Sequence, residues 1–406
     1  MSESKKLMIL GGSILQLPAI KTAKAMGLQV IVVDRDPLAI GFKEPGVIPE
    51  IISTIDTENV VKAAKKHQIN GIMTLASDLP MQTVAVVAKE LGLNGISKET
   101  AIKATNKIAM RLALQDYQVP IPLFFIIKSK ADYDNAIKNL KSLGKKCIVK
   151  PADNSGSRGI ILIDDFNNQS LIEHAYSYSQ QYSRSGDLLV EEYMEGDEIS
   201  VETLSMNGVC HIIQITDKLT TGQPYFVEMG HSQPTKLSQD LQDRVKQVVN
   251  QATLAIGITE GPSHVEIKIT SEGPKVVELG ARLGGDNITT HLVPLSTGID
   301  MVKNCIHIAM GDGISIQPLR SCGAAIRYLK EDYGTISDIT GIEKAKKLEG
   351  VVNISIVHSI GDYLHGIQSS NDRVGFVIAQ ADTAQEAIHR CEAALELIKV
   401  KVDHDV

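Results

Sequence analysis

The sequence is poor in cysteine, with five cysteines spread widely along 406 residues. No two of them have the C-x-x-C spacing of a zinc knuckle, and their scatter does not suit a disulfide framework. We therefore expect free thiols in a reducing compartment, which predicts a cytoplasmic protein.

Long apolar runs and an excess of positive charge are also missing. No apolar stretch reaches about 18 residues, the length that a transmembrane helix needs, and no signal-peptide h-region follows the first residues. The net charge of -7 gives no general attraction to nucleic acid or to anionic membranes. The sequence has no tandem repeat or long polar linker, so we expect tightly packed globular units with neither nucleic-acid nor membrane partners.

Strand and helix patterns alternate through the first hundred residues. Short apolar strands and helices take turns at residues 7–10, 18–26, 29–33, 57–67, 71–75 and 79–91. Buried strands separated by helices of this length are typical of a parallel, doubly wound sheet.

The turn Gly11-Gly12-Ser13 follows the first strand, at the edge where such sheets bind ligands. It lacks the full G-x-G-x-x-G spacing, although Asp34 ends the second strand as the acid of a dinucleotide site would. A structural turn, a substrate-facing loop and a dinucleotide site are all open at this point.

The pattern changes twice further along the chain, near residues 195 and 320. Short strands alternate with helices from about 122 to 192, whereas longer strands separated by turns begin at Ser200. We predict an α/β (α+β) protein whose units span residues 1–100, 101–320 and 321–406.

A loop of small residues follows a strand that ends in lysine. Lys150 can place its charge on a phosphate, and Gly156, Ser157 and Gly159 let backbone N–H groups approach phosphate oxygens closely. The segment is not a Walker loop, because it has no G-K-[ST] ending and leads into a strand. The alternative is an ordinary hairpin with a flexible loop.

An acidic segment comes next, around the end of a strand. A purine nucleotide needs a backbone donor and acceptor at the edge of its base and an acid for its ribose hydroxyls. Glu191, the backbone of Tyr193 and Met194, and Glu198 can supply these groups. A solvated acidic turn is the alternative.

Two acids face each other in a predicted β-hairpin. If the hairpin is centred on Glu272, Glu266 lies opposite Glu278, with Cβ atoms about 5 Å apart. Two carboxylates this close repel unless a cation lies between them, and Mg²⁺ shared with substrate phosphates is the expected solution. Lys268 lies two residues after Glu266, so its side chain is on the same face of the strand, and it is predicted to bind the nucleotide. Arg282 could neutralise a phosphoryl group or an oxyanion, and the alternative is a surface hairpin with alternating charges.

In order and spacing, these segments resemble the ATP-grasp superfamily of carboxylate–amine ligases over nearly the whole chain. The resemblance implies an N-terminal doubly wound pre-ATP-grasp domain, an ATP-grasp domain with a mobile lid at about 115–192, and a C-terminal α/β lobe. It implies that the nucleotide is bound by Lys107, Lys150, the loop Asp153–Gly159, Glu191, Glu192, Tyr193, Met194 and Glu198.

The same resemblance assigns Mg²⁺, or Mn²⁺ in its place, to Glu266 and Glu278. It gives Arg282 the acyl-phosphate centre, with Lys150 as a second catalytic residue. Many relatives carry Asn two residues after the second magnesium glutamate, whereas this chain has Gly280. That departure puts a third protein ligand of the metal in doubt.

Four residues are predicted to contact the substrates: His231, Gly284, Gly285 and Asp286. His231 lies in the segment 228–234, where relatives place an acceptor-binding loop, although a simple connecting turn is the alternative. Asp286 either fixes an ammonium group or caps the helix that is expected to follow it.

The resemblance implies an ADP-forming enzyme that uses ATP and Mg²⁺ to activate a small-molecule carboxylate and couple it to an amine. The E-x-G-A-R-x-G-G and G-H-x-x-P patterns favour an amino-acid or peptide ligase. A purine-pathway ligase acting on a phosphoribosyl amine is the alternative, but it calls for a basic cluster near Gly11–Gln16 that the segment lacks. A non-catalytic nucleotide-binding regulator is the third hypothesis, and it predicts the loss of an ATP-binding charge. Relatives with a lobe similar to the segment 372–378 are often dimers, so a homodimer is expected.

Overall fold

The architecture is mixed α/β, which confirms the predicted fold class. A computed structural model of the chain describes residues 4–154 and 158–404. Within these residues the strands form four sheets, of four, eight, three and four strands.

The first sheet is built from the alternating strands and helices near the N-terminus. Its elements are β1 (Lys6–Leu10), α1 (Leu17–Ala25), β2 (Gln29–Asp34), β3 (Ile48–Ile51), α2 (Thr57–His67), β4 (Gly71–Met73) and α3 (Met81–Leu91). The strands are parallel in the order β3-β2-β1-β4. Leu7 and Ile9 pack against α1 on one face, and Met8 and Leu10 pack against α2 and α3 on the other. The sheet is therefore doubly wound, as predicted.

A small antiparallel sheet occupies the region predicted to form a lid. The chain leads to this sheet through α4 (Lys98–Thr105) and α5 (Lys107–Asp116). The sheet and its helices are β5 (Phe124–Ile127), α6 (Lys130–Ser142), β6 (Cys147–Pro151), β7 (Ile161–Ile163), α7 (Gln169–Tyr182) and β8 (Leu188–Glu192). Its strand order is β5-β8-β6-β7. Gly156 and Ser157, predicted to cover phosphates, lie outside the described residues, between β6 and β7.

An eight-stranded antiparallel sheet carries most of the rest of the chain. Its first part contains β9 (Asp197–Met206), β10 (Val209–Thr220), β11 (Glu228–Gln233), α8 (Gln239–Ile256), β12 (Gly261–Thr270), β13 (Gly273–Gly280), α9 (Val293–Thr297) and α10 (Met301–Ala309). The chain then continues through β14 (Gly323–Leu329), β15 (Tyr333–Thr340), α11 (Ile342–Ala345), β16 (Val351–Ile356), β17 (Tyr363–His365), β18 (Gly375–Ala381), α12 (Ala384–Leu397) and β19 (Lys399–Asp403). The order is β13-β12-β9-β10-β11-β14-β18-β16, and β17, β15 and β19 form a separate three-stranded sheet.

The sheets share cores, so the predicted unit boundaries are not marked by gaps in packing. β11 pairs with β14 and carries the large sheet across residue 320. Leu7 of the first sheet and Leu204 and Ile326 of the large sheet belong to one hydrophobic core with residues of α10. The three residue ranges predicted for the units stay predictions.

The helices pack against sheets rather than forming long apolar rods. Within residues 4–154 and 158–404, none of them combines the length and the apolar character that crossing a bilayer requires.

The turn between β8 and β9 depends on Gly196. Its φ is +133°, and a Cβ atom at this position would lie 2.0 Å from the carbonyl oxygen of Ile269 in β12. We expect Gly196→Ala to lower the free energy of unfolding by about 3 kcal/mol, because the backbone conformation and the close contact are both incompatible with a side chain. Denaturant-induced unfolding measures this change.

Gly208→Ala is a matched control at the other end of β9. Gly208 also has a positive φ, of +78°, but no atom lies within 4 Å of its Cβ position. This variant should lose only about 1 kcal/mol. Equal losses in the two variants would contradict a role for the contact with Ile269.

Candidate active site

Two carboxylates lie opposite each other on the hairpin of β12 and β13. Glu266 pairs with Glu278, as predicted, although the reason differs from the one expected. The turn contains two residues, between Thr270 and Gly273, and a regular hairpin on that turn would place Val277 opposite Glu266. A β-bulge shifts the register by one residue at this point and brings the acids into line.

The bulge is held by a buried arginine from α5. Arg111 donates a hydrogen bond of 2.7 Å from Nη2 to the carbonyl oxygen of Val277, the extra residue of the bulge. Its Nε also donates to Glu191 Oε1 at 2.7 Å. Arg111 thus fixes both the carboxylate register and the end of β8.

Two lysines neutralise the paired carboxylates. Lys107 Nζ lies 2.9 Å from Glu278 Oε1 and 2.8 Å from the carbonyl oxygen of Asn154. Lys218 Nζ lies 3.3 Å from Glu266 Oε2 and 2.7 Å from Glu198 Oε1. Burial disfavours the charge on Lys218, whose side chain is 2% exposed, but the neighbouring carboxylates raise its pKa well above the ordinary value.

The donor set of this hairpin fits a magnesium ion that also binds phosphates. Within the described parts of the chain, no group of three or more His, Cys, Asp or Glu side chains is arranged to hold a metal. The side chains of Glu266 and Glu278 are 26% and 31% exposed, so both remain partly accessible. Mg²⁺ commonly takes one or two carboxylates and completes its shell with phosphates and water. These two residues would hold the ion.

Lys150, near the end of β6, lies in a buried cluster with two other charges. Its Nζ lies 2.7 Å from Glu191 Oε2, and Arg111 binds the other carboxylate oxygen. Burial lowers the pKa of Lys150 to about 8, although Glu191 opposes the shift. Burial also raises the pKa of Glu191, but Arg111 and Lys150 outweigh it and hold the value at about 2. Glu191 therefore supports Lys150, and its direct contact with a nucleotide stays a prediction.

The predicted adenine hinge needs one correction. The backbone N–H of Tyr193 donates to the carbonyl oxygen of Lys146 at 2.8 Å, so it is not a free donor for a purine. The carboxylate of Glu192 pairs with Lys145 at 2.7 Å and with Lys275 at 3.5 Å. None of these three contacts was foreseeable from the sequence, because the partners come from other strands and turns. The backbone of Met194 keeps its predicted role as a hypothesis.

Glu198 and Lys268 lie directly opposite each other on β9 and β12. Glu198 Oε2 is 3.2 Å from Lys268 Nζ, and its other oxygen binds Lys218. Lys268 also donates to the carbonyl oxygen of Gly196 at 3.2 Å. The acid predicted for the ribose thus lies near Glu266, which is predicted to bind magnesium, and Lys218 contacts both acids.

Arg282 follows β13 and is held by an acid from the first sheet. Its Nε donates to Asp78 Oδ1 at 2.8 Å and its Nη2 donates to Asp78 Oδ2 at 3.2 Å. Asp78 lies in the turn before α3, 204 residues away in the sequence. The sequence predicted Arg282 but gave no sign of this partner.

Two of the predicted substrate residues, His231 and Asp286, are brought together, although His231 lies in β11 rather than in a loop or turn. Asp286 Oδ2 and Oδ1 accept hydrogen bonds of 2.7 Å and 2.9 Å from the guanidinium of Arg373, and His231 Nε2 lies 3.3 Å from Oδ2. Burial opposes ionisation, but Arg373 and His231 hold the pKa of Asp286 well below its usual range. The helix-capping alternative for Asp286 is wrong, because the N-cap of the short π-helix Ile288–Leu292 is Asn287, whose side chain makes no capping hydrogen bond.

Different contacts explain why glycine occurs at the predicted site positions. A Cβ at Gly284 would lie 2.7 Å from Glu202 Oε2 and from His264 Nδ1, whereas the Cβ position of Gly285 is open. Gly159 has a φ of +80°, and its Cβ would meet Tyr182 of α7 at 2.7 Å. Packing against a helix therefore explains Gly159 without a phosphate.

Beneath Gly284, a buried histidine links two acids. His264 Nδ1 lies 2.6 Å from Glu202 Oε1, and its Nε2 lies 3.3 Å from Glu266 Oε1. Burial lowers the pKa of His264, but the two carboxylates outweigh it and raise the value to about 9. This pair fixes the orientation of a predicted magnesium ligand.

Sequence reasoning missed several site residues, namely Asp78, Arg111, Glu202, Lys218, His264 and Arg373. One signal was present for Lys218, since Asp217-Lys218 places two charges in a strand that otherwise has no Asp, Glu, Lys or Arg. A charge at such a position needs a partner inside the protein. The partners themselves could not be read from local sequence.

Comparison with known proteins gives two family matches. Residues 143–290 match the ATP-grasp domain, and residues 327–403 match the L-amino acid ligase C-terminal domain 2. The chain is 27% identical over 326 residues to an L-arginine-specific L-amino acid ligase of Bacillus subtilis, covering 76% of this chain and 73% of that protein. It is 24% identical over 409 residues to a formate-dependent phosphoribosylglycinamide formyltransferase of Sulfurisphaera tokodaii, covering 98% and 97%.

Solved structures show the same fold. An L-amino acid ligase from Bacillus licheniformis superposes with a TM-score of 0.82 at 22% identity, over 100% of both chains. Phosphoribosylglycinamide synthetase from Anaerococcus prevotii gives 0.79 at 20% identity, over 99% of this chain and 100% of that one. The domain matches show an ATP-grasp domain followed by an L-amino acid ligase C-terminal domain 2, and together with the relatives they indicate an ADP-forming carbon–nitrogen ligase.

Proposed function

We propose that this ligase activates the carboxylate of one amino acid or peptide and couples it to the amine of another. The observation that carries the choice of substrate lies at the first turn of the N-terminal sheet. The backbone N–H of Gly12 donates to Asp34 Oδ2 at 2.7 Å, so a carboxylate already occupies the amide that a phosphate would need.

A phosphoribosyl amine fits this turn poorly. The segment Gly11–Gln16 has no basic residue, and Asp34 adds a negative charge beside it. A substrate phosphate would meet repulsion without a compensating cation. The purine-pathway alternative is therefore the weaker of the two, although relatives of both kinds share the fold.

The substrate end of the proposed site is formed by Asp286, His231 and Arg373. Asp286 Oδ1 accepts one hydrogen bond from Arg373 and keeps acceptor capacity for an ammonium group. The ion pair of Asp286 and Arg373 is close to neutral in charge, which suits a zwitterionic amino acid better than an anionic substrate. Gly285, whose Cβ position is open, leaves room beside it.

The proposed chemistry uses the charges described above. ATP supplies the phosphoryl group and Mg²⁺ neutralises its oxygens when bound. Lys107 and Lys150 hold phosphate oxygens, and Glu266 and Glu278 hold the metal. Arg282 stabilises the oxyanion that forms when the amine attacks the activated carboxylate, largely by fixed charge and position.

We also propose that the enzyme acts as a homodimer in the cytoplasm. All five cysteines are free thiols, which suits a reducing compartment. A structural neighbour with a TM-score of 0.76, the biotin carboxylase domain of Hydrogenobacter thermophilus 2-oxoglutarate carboxylase, was solved as a dimer with MgADP. Sedimentation velocity of the purified chain tests the dimer.

An ADP-release screen over amino acids, singly and in pairs, tests the substrate class. We expect ADP release with at least one pair and a product mass equal to the sum of the pair minus water. Glycine with phosphoribosylamine should give only background. The reverse result would favour the purine-pathway alternative.

Glu278→Gln, assayed with the amino-acid pair that the screen finds active, tests the metal assignment. The change removes a negative charge from the metal site, so we expect ADP release to fall about 100-fold or more. Glu272→Gln is the matched control, because Glu272 lies on the turn of the same hairpin and is 66% exposed. Unchanged turnover in Glu278→Gln would remove the metal assignment.

The lowered pKa of Lys150 predicts how nucleotide affinity depends on pH. Lys150 is charged below about pH 8 and neutral above it. ATP phosphates bind the charged form, so the affinity for ATP should fall by up to about tenfold per pH unit above pH 8. Lys150→Arg, which stays charged, should flatten the profile measured by calorimetry between pH 7 and 9.5. An equally steep profile in this variant would assign the titration to another group.

A further inference from the structure

The guanidinium of Arg282 meets an acid that neither the sequence patterns nor the matched domains assign. Asp78 binds it through both carboxylate oxygens, at 2.8 Å and 3.2 Å, and the two side chains are 16% and 21% exposed. We propose that Asp78 is a positioning residue of the ligase reaction, which fixes the fork of Arg282 toward the reacting carboxylate. We further infer that residue 280 is glycine because Asp78 fills the space of its side chain.

The hydrogen bonds of Arg282 define what remains for a substrate. A guanidinium has five N–H donors. Two of them bind Asp78, and one on Nη1 binds the carbonyl oxygen of Leu283 at 3.2 Å. One N–H on Nη1 and one on Nη2 remain for an oxyanion. Because the other donors are occupied, the side chain has little freedom to turn away from this task.

Gly280 is coupled to this ion pair by space. A Cβ atom there would lie 3.1 Å from Asp78 Oδ1 and 3.3 Å from the Cγ and Cζ atoms of Arg282. The φ of Gly280 is not in the left-handed region, so its backbone alone does not require glycine. Proximity to the Asp78–Arg282 pair is the requirement that the structure supplies. This contact accounts for the glycine at this position.

The first sheet supports Asp78 through a buried glutamine. Gln16, which is 1% exposed, accepts from the backbone N–H of Leu75 at 2.8 Å and donates to Ser77 Oγ at 3.3 Å. The carbonyl oxygen of Leu75 accepts from the N–H of Leu283 at 3.0 Å. The turn that carries Asp78 is therefore fixed on both sides. A Cβ at Gly11 would lie 3.0 Å from Cγ of Gln16, which gives the first turn a structural purpose.

Asp78→Asn tests the proposal with the amino-acid pair that gives ADP release. Asparagine keeps the shape but loses the charge and one acceptor, so Arg282 should lose its fixed orientation. We expect kcat to fall by about 10- to 100-fold, with the KM for ATP within about threefold of wild type. An unchanged kcat, or a loss confined to the KM for ATP, would overturn the proposal.

Asp312→Asn is the matched control. Asp312 pairs with Lys5, which precedes β1, and so also joins the first sheet to a later segment, but at the end opposite the site. It should leave kcat unchanged. If this variant lost as much activity as Asp78→Asn, the effect would be loss of packing between the units and the proposal would fail.

A spectroscopic readout separates this inference from the identity of the substrates. The Nε–H resonance of Arg282, identified by its absence in Arg282→Lys, should lie downfield in the wild-type enzyme because it binds a carboxylate. It should move upfield in Asp78→Asn without any substrate present. A resonance that does not move would overturn the proposal even if the ADP-release screen succeeds. A resonance that moves would support it even if no amino-acid pair is active.

The contact between Gly280 and the Asp78–Arg282 pair has a separate test. This test also applies if Asp78→Asn folds poorly. Gly280→Ala should lower kcat by about tenfold, since the new methyl group displaces Asp78 or Arg282. In a chain that already carries Asp78→Ala, Gly280→Ala should lower kcat by less than a further threefold. Effects of the two substitutions that multiply independently would contradict the shared space.

Discussion

Buried charges of opposite sign meet on the cleft-facing side of the large sheet, and the arrangement of the site follows from their neutralisation. An isolated charge in such a place would be strongly destabilising, so each acid must find a cation within hydrogen-bonding distance. Lys218 contacts both Glu198 and Glu266, and its side chain is almost fully buried. The same contacts place the acid predicted for the ribose next to an acid predicted for the metal.

This neutralisation also sets the geometry of the backbone. Arg111 binds Glu191 with one part of its guanidinium and the bulged carbonyl of Val277 with another. The bulge then brings Glu266 opposite Glu278. A single buried cation from α5 thus links the cluster of Lys150 and Glu191, predicted to bind phosphate, to the register of the hairpin that is predicted to bind the metal.

The N-terminal sheet takes part in the site through one acid rather than through a nucleotide pocket of its own. Its first turn is closed by Asp34, and its fourth strand leads to Asp78 and so to Arg282. Two further contacts tie the C-terminal region to the same centre, since Arg373 of the segment before β18 holds Asp286. The proposed acyl-transfer centre therefore lies where three parts of the chain meet.

Local sequence determined the elements and the kinds of side chain in the site. Alternating apolar strands and helices predicted the doubly wound sheet, and two acids about a turn predicted the Glu266–Glu278 pair. Tertiary structure alone decided the partners, because a charged side chain encodes the need for a counter-ion but not its place in the chain. Arg282 and Asp78 are 204 residues apart, and Lys107 and Glu278 are 171 apart. Contacts across such distances depend on how the sheets pack, which no local periodicity can specify.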